Sequence, residues 1–332
     1  MTGRRLLGYH CSHEQHSPSE LLRHVKLAAA AGFSAAMCSD HFHPWSERQG
    51  HSGFAWSWLG AALESTALSF GTVCAPGQRY HPAIVAQAAA TLAEMYPGRF
   101  WLAVGSGEAL NEHITGHDWP SKTDRQRRLA AAVEVMRALW AGETVSRDGP
   151  VVTREARLYT RPPSPPLLVG AALTPQTAKW VGSWADALIT VAGPRDRMRA
   201  IVDAFKAGGG DGRPMFLQVT LSYAATDAQA AQSAQQQWPQ CALDSALLAD
   251  LPTVADFDRH CEQVDARDVL TRVRASAAIE RHADWIEQDA ALGFERIYLH
   301  NVARDNQERF IEACARELIP RFSDVQAGRL AS

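Results

Sequence analysis

LSFGTVCAPGQRYHPAIVAQAAATLAEMYPGRFWLAVG, residues 68–105, contains one complete unit of the fold. Leu68–Cys74 is a short apolar run of strand length. Pro82 then opens an amphipathic helical stretch reaching about Tyr96, and Phe100–Gly105 is apolar again after Pro97-Gly98. Proline suits the first helical position, where its missing N–H would have no intrahelical partner, and Pro-Gly cannot continue a helix. Two apolar strands around one helix make a βαβ unit, and such a crossover brings the second strand back parallel to the first.

The same rhythm runs outward in both directions. Upstream, Leu6–Tyr9 reads as a strand, Ser17-Pro18-Ser19-Glu20 caps a helix reaching about Ala31, Ala35–Ser39 is a second strand, and Trp56–Thr66 is helical. Downstream, the helix Asp124–Trp140 is followed by a lapse, with an extra extended segment at Val151–Leu158 and a proline-rich connection at Arg161–Pro166. Strands then recur at Pro166–Ala171, Ala187–Val191, Met215–Ser222 and Arg296–His300, alternating with helices. Residues 238–276, with helical pieces near Asp244–Ala249 and Val254–Glu262, are expected to form an insertion over one end of the fold. Eight strands, each followed by a helix, predict a single (β/α)8 TIM-barrel domain over residues 1–332, with its active site at the C-terminal face. A doubly wound open sheet is the competing fold, but no GxGxxG follows the first strand.

Composition narrows the function classes. The 332 residues are 46% hydrophobic and 21% charged, enough for a large core. A formal charge of −3 without a basic stripe argues against nucleic acid as a partner. No run approaches the roughly 20 apolar residues of a membrane helix, and no export signal opens the chain. Six scattered cysteines without a CxxC pair fit a reduced cytoplasm rather than a disulfide framework or a structural zinc site.

Polar residues gather where strands end: His10 and Glu14 after the first, Asp40, His41, His43 and Trp45 after the second, and Ser106, Glu108, Asn111 and Glu112 after the fourth. In a barrel these positions converge, and a histidine with a carboxylate can then divide base and acid roles. Each also has a bland reading. Asp40 would serve as a turn cap, Trp45 as packing, and Glu108 with Asn111 as helix-start polarity. His41-x-His43 has the spacing of a metal-hydrolase pair, yet the fifth and sixth strands end without histidine or carboxylate. His300 alone cannot complete a ligand set, so no metal is expected.

Gly8-Tyr9, Glu14-Gln15, Ser39-Asp40-His41-Phe42-x-Pro44-Trp45, Arg79-Tyr80-His81-Pro82-Ala83, Tyr96-Pro97-Gly98-Arg99 and Gly105-Ser106-Gly107-Glu108-Ala109-Leu110-Asn111-Glu112 together resemble the luciferase-like flavin oxidoreductase superfamily, in its branch of F420-dependent glucose-6-phosphate dehydrogenases. The resemblance implies that Asp40 contacts a flavin or deazaflavin ring, His41 takes the proton of a substrate hydroxyl, Trp45 stacks near the reacting centre, and Glu108 delivers a proton to the reduced ring. It puts Glu14 near the substrate. Asn111, with Ser106 and Gly107, would hold the cofactor, and Thr72-Val73 matches a segment that often carries a non-proline cis peptide beneath the flavin. It also implies a homodimer.

Two departures shape the expected chemistry. Where that branch binds phosphate after the sixth strand, this chain reads Val191-Ala192-Gly193-Pro194, and the later phosphate positions fall near Leu247 and Thr271. Apolar residues cannot supply charge-assisted donors, so glucose 6-phosphate is not the expected substrate. Where the deazaflavin binders carry Gly-Gly after the fifth strand, this chain has Ala171-Ala172, with Thr174 and Thr177 at a helix start. Hydroxyls and amides there suit the phosphate of FMN, which is the expected cofactor with coenzyme F420 as the alternative. The expected activity is hydride transfer between bound flavin and a small organic substrate. A flavin monooxygenase and a non-catalytic flavin-binding protein are the other readings.

Overall fold

A computed structural model describes residues 6–322. Its strands are β1 (Leu6–Cys11), β2 (Ala35–Ser39), β3 (Ser69–Cys74), β4 (Phe100–Val104), β5 (Val145–Arg147), β6 (Thr153–Ala156), β7 (Leu167–Ala171), β8 (Ala187–Val191), β9 (Met215–Ser222), β10 (Arg274–Ala275) and β11 (Arg296–Asn301). Strands β1, β2, β3, β4, β7, β8, β9 and β11 pair in parallel, and β8 also pairs with β9, so the sheet closes into a (β/α)8 barrel. The two-residue β10 adds to β9 beyond the closed ring. The predicted extended segment Val151–Leu158 contains β6, which pairs antiparallel with β5, a strand the sequence reading did not assign.

Local chemistry sets the helix ends much as the sequence indicates. Ser17 and Glu20 form a reciprocal capping box ahead of the helix Pro18–Ala30, satisfying two backbone N–H groups that the helix itself leaves unbonded. The helix Pro82–Met95 starts on its proline, with His81 as cap. Between Gln237 and β10 lie a short turn at Pro239–Ala242 and helices Ser245–Asp250, Val254–Cys261 and Ala266–Leu270. Their side chains Leu251 and Phe257 pack on Trp45 and Leu110.

The alternation of β4 shows how the core divides into two layers. Trp101 and Ala103 pack inside the barrel with Met37, Val169, Ile189, Phe216 and Tyr298. Phe100, Leu102 and Val104 face the surrounding helices. Large rings fit inside because a neighbouring strand has glycine opposite them. A Cβ at Gly71 would lie 1.9 Å from Trp101 Cε2, and one at Gly8 would lie 2.3 Å from Tyr298 Cδ1. The Trp101 ring is itself wedged against Phe216 and Tyr298, at centroid distances of 5.2 and 5.5 Å. It has little room to retreat. Gly71→Ala is therefore expected to destabilise the barrel by about 3 kcal/mol, the upper end for overpacking. Urea denaturation checks this, and a loss below about 1 kcal/mol would show that the ring can shift.

Two sequence readings need correction. Among the described residues all peptide bonds are trans, Thr72-Val73 included. The helix after β7 begins at Pro175 rather than Thr177, with Thr174 as its cap. All six cysteines are free thiols, and no helix among the described residues is long and apolar enough to cross a membrane.

Candidate active site

Glu14, in the loop after β1, is the most deeply held group. Its side chain is 1% exposed and its Oε1 lies 2.7 Å from His41 Nδ1. Its Oε2 accepts from Ser12 Oγ at 2.6 Å and Ser39 Oγ at 2.9 Å. Burial alone would raise its pKa, but His41 and the Ser12 hydroxyl outweigh burial and hold the carboxyl well below the usual range. Glu14 thus stands against the Nδ1 side of His41, as a buried charge backing the imidazole. Burial pulls the His41 imidazole down, but Glu14 and then Glu108 pull harder, and His41 ends above its ordinary value.

The other ring nitrogen of His41, Nε2, lies 3.7 Å from Glu108 Oε2. Glu108 caps the one-turn helix Ala109–Glu112 after β4 and is about one-third exposed at the mouth, its side chain at 31%. Burial raises its pKa, His41 lowers it, and Glu14 and Glu112 raise it again, so the carboxyl ends above its ordinary value. Trp45 meets the His41 ring edge-to-face at 5.1 Å and packs on Phe257 at the same distance.

Asn111 ties the two sides of this pair together. Its Oδ1 accepts from Phe42 N at 2.8 Å and His43 N at 3.3 Å, and its Nδ2 reaches Glu108 Oε2 at 3.4 Å. Its Oδ1 thus fixes the backbone of the loop that carries His41, while the second N–H of its Nδ2 stays available to a ligand.

Asp40 is buried next to this pair. Tyr80 Oη donates to its Oδ1 at 3.0 Å, and Arg79 Nη2 donates to its main-chain carbonyl at 2.7 Å. Its Oδ2 is buried with no hydrogen-bond partner among the described residues. Arg79 Nη2 lies 3.4 Å from it as an ion-pair partner, and with no hydrogen bond of its own this buried oxygen can still accept from a cofactor ring with N–H groups. Ser106 lines a narrow slot with Gly77, Gln78, Gly105 and Trp119. Gly107 has φ +82°, and a Cβ there would come within 3.3 Å of Ala75 Cβ and Glu112 Cγ, so the loop after β4 keeps this conformation only with glycine.

The remaining expected cofactor residues are placed less directly. Thr72 is fully buried and its hydroxyl donates to Cys38 O at 3.0 Å, so it serves the sheet and is not available to a ligand. Val73 is half-buried beside it. Ala171 and Ala172 end β7, and Thr174 Oγ1 donates to Thr177 Oγ1 at 3.0 Å while accepting from Thr177 N. That cap engages the hydroxyl of Thr174.

Sequence reasoning left Arg79, Glu112 and Arg197 without roles. Arg79 was in view inside the Arg79–Ala83 block, yet nothing local shows that it reaches Asp40 across the β2 loop. Arg197, in the first turn of the helix Arg195–Phe205 after β8, donates to Leu173 O at 2.8 Å in the loop after β7, and among the described residues no salt bridge engages it. Its signal was a guanidinium three residues past Pro194.

The family model for luciferase-like monooxygenases matches residues 7–299. The F420-dependent glucose-6-phosphate dehydrogenase of Beutenbergia cavernae is 34% identical over 327 residues, covering 95% of this chain and 97% of that protein. The enzyme of the same name from Mycolicibacterium smegmatis is 33% identical over 329 residues, with coverage of 95% and 97%. An F420-dependent secondary alcohol dehydrogenase, solved with an F420-acetone adduct, superposes at a TM-score of 0.88 and 29% identity, covering 96% of this chain and 99% of that one. The exclusion of glucose 6-phosphate is overturned by these near-full-length relatives, which bear that substrate in their names. It rested on a position-by-position search for phosphate ligands, whereas a fold can bring a guanidinium such as Arg197 to the same mouth from another position.

Proposed function

The chain belongs to the luciferase-like monooxygenase family, and from that premise we propose an F420-dependent dehydrogenase acting on a hydroxyl-bearing carbon of a small substrate. At the coarser level it is an F420- or flavin-dependent oxidoreductase. The observation that carries the finer reading is the His41–Glu108 pair at 3.7 Å, backed by the buried Glu14.

Hydride can leave a carbinol carbon only as its hydroxyl proton is taken. His41 Nε2 is the atom for that proton, and the Glu14 charge at Nδ1 stabilises the imidazolium that results. Glu108 is held toward its protonated form, so it would give that proton to the cofactor ring that takes up the hydride and be refilled by the substrate proton held on His41. Trp45 and Phe257 form an apolar wall that keeps water from the imidazole. When bound, F420 supplies the carbon that accepts hydride. Asp40, Ser106 and Gly107 would hold its ring, and Ala171, Ala172, Thr174 and Thr177 border its tail. F420 replaces the FMN read from the two threonines, because the Thr174 hydroxyl is engaged in the helix cap and the relatives named above carry F420 in their names. A monooxygenase would need reduced flavin to meet oxygen, and the retained acid–base pair suits dehydrogenation better. The proposal keeps the cytoplasm as location and a second copy of the chain as partner.

Adding F420 should give a bound chromophore near about 420 nm that bleaches on addition of glucose 6-phosphate or a secondary alcohol. Failure to bind F420, with FMN bound instead and bands near about 370 and 450 nm, would sink the cofactor assignment.

A further inference from the structure

One side chain lies between the two carboxylates that frame the mouth. Arg79, in the loop after β3, is 8% exposed at its side chain. Its Nη2 donates to the Asp40 carbonyl at 2.7 Å and lies 3.4 Å from Asp40 Oδ2. Its Nε lies 3.7 Å from Glu112 Oε1, while Glu112 Oε2 accepts from the backbone N–H groups of Gln78 and Arg79 at 2.8 and 2.7 Å. The Tyr80 ring, whose hydroxyl fixes Asp40 Oδ1, lies 4.3 Å from the guanidinium carbon. Glu112 belongs to the same one-turn helix that Glu108 caps. Thus one guanidinium joins the segment carrying Asp40 and His41 to the segment carrying Glu108.

We propose that Arg79 is a positioning residue for hydride transfer, acting through Asp40: it holds that carboxylate in place with Oδ2 turned to the cofactor, and locks it to the Glu108–Glu112 turn. This rests on the cofactor reading given above. The need for a cation follows from charge and burial. Asp40 and Glu112 are 1% and 2% exposed at their side chains, and a buried carboxylate without a partner protonates or moves. Burial raises the pKa of both, and Arg79 is the leading charge opposing that shift at Asp40. An ammonium has three donors at one point, whereas a guanidinium spreads its donors over a planar fork and can serve both carboxylates together. A lysine should therefore keep the charge and lose the geometry.

The test is a double-mutant cycle on the full chain with Arg79→Lys, Asp40→Asn and the pair. F420 affinity is measured by fluorescence before any substrate is added, and hydride transfer by single-turnover bleaching at saturating substrate. Arg79→Lys is expected to weaken F420 binding about 10-fold and slow hydride transfer about 30-fold or more, with substrate KM changed less than about 3-fold. In the Asp40→Asn background the same lysine should cost less than about 3-fold, because the group it acts through is gone. Equal losses in both backgrounds, or an Arg79→Lys variant as fast as wild type, overturn the proposal. Wild type that neither binds nor bleaches F420 would refute the cofactor reading instead.

A cofactor-free measurement keeps the positioning role testable in that event. The groups facing Asp40 are Arg79, Tyr80, His41, Cys38, Cys74 and Glu112. Only Arg79 and His41 among them can be cationic. Carbon-13 NMR of the Asp40 carboxyl is expected to show it ionised at neutral pH in wild type and carrying a proton in Arg79→Met. An Asp40 that stays ionised in both overturns the proposal.

Discussion

Substituting asparagine for His41 is expected to lower turnover by about 10²–10⁴-fold while F420 affinity stays within a few-fold. The asparagine side chain can still donate to Glu14, which sits 2.7 Å behind the imidazole and is 1% exposed. It avoids the separate cost of stranding a buried carboxylate, which an alanine would incur. What it removes is a proton acceptor at the position of Nε2, opposite Glu108. Hydride loss from a carbinol would then have to leave the hydroxyl proton in place, so the chemical step suffers and cofactor binding does not. Single-turnover bleaching separates the two. A His41→Asn enzyme that bleaches F420 at the wild-type rate would remove His41 from the mechanism.

The second large effect concerns acid. His10, His13 and His16 are buried around β1 and the loop that follows it, and His300 is buried on β11 with its ring stacked on His10 at 4.4 Å. His10 Nδ1, both ring nitrogens of His13, His16 Nε2 and His300 Nδ1 have no hydrogen-bond partner among the described residues. Burial holds these imidazoles neutral, lowering His10 and His13 to about 4 and His16 to about 3, and holding His300 well below its ordinary value. In the unfolded chain a histidine titrates near its ordinary value of about 6.5. Between those limits the unfolded state binds more protons than the folded one, so stability falls as pH drops from about 6.5 toward 4. A lowering to about 4 is worth about 3 kcal/mol at full effect for each of His10 and His13. Glu14 acts in the same direction once pH falls below the ordinary range for a carboxylate. His41, whose pKa is raised, has the opposite sign, and its contribution is lost as pH rises through its folded value. Against a typical total of about 5–15 kcal/mol, the buried set should bring the fold close to unfolding by about pH 4. Urea midpoints at pH 7, 6, 5 and 4 measure it. A midpoint unchanged over that range would show that the imidazoles titrate in the folded state as they do in the unfolded one.

Strand and helix order could be read from sequence because each depends on neighbours a few residues away. The apolar runs of β2, β8 and β9 carry their own period, and Ser17, Pro18, Pro82 and Gly98 mark helix ends by what their backbones permit. Asp40, His41, Trp45 and Glu108 were also legible, because a barrel delivers strand ends to one mouth whatever their separation in sequence. The bonding partners of Glu14, Asn111 and Thr72 were not. Whether a side chain meets a ligand or another side chain depends on groups 25 to 69 residues away, such as Ser39 for Glu14 and Phe42 for Asn111.

The sequence by itself therefore determined the barrel, its eight repeats and the strand ends that carry chemistry, since periodicity and turn residues act locally. Only the tertiary structure decided that Glu14 stands behind His41, that Asn111 holds the reacting pair together and that Arg79 joins two buried carboxylates. Charge and hydrogen bonding act through space over a few ångströms, and the chain sets those distances only when the barrel closes.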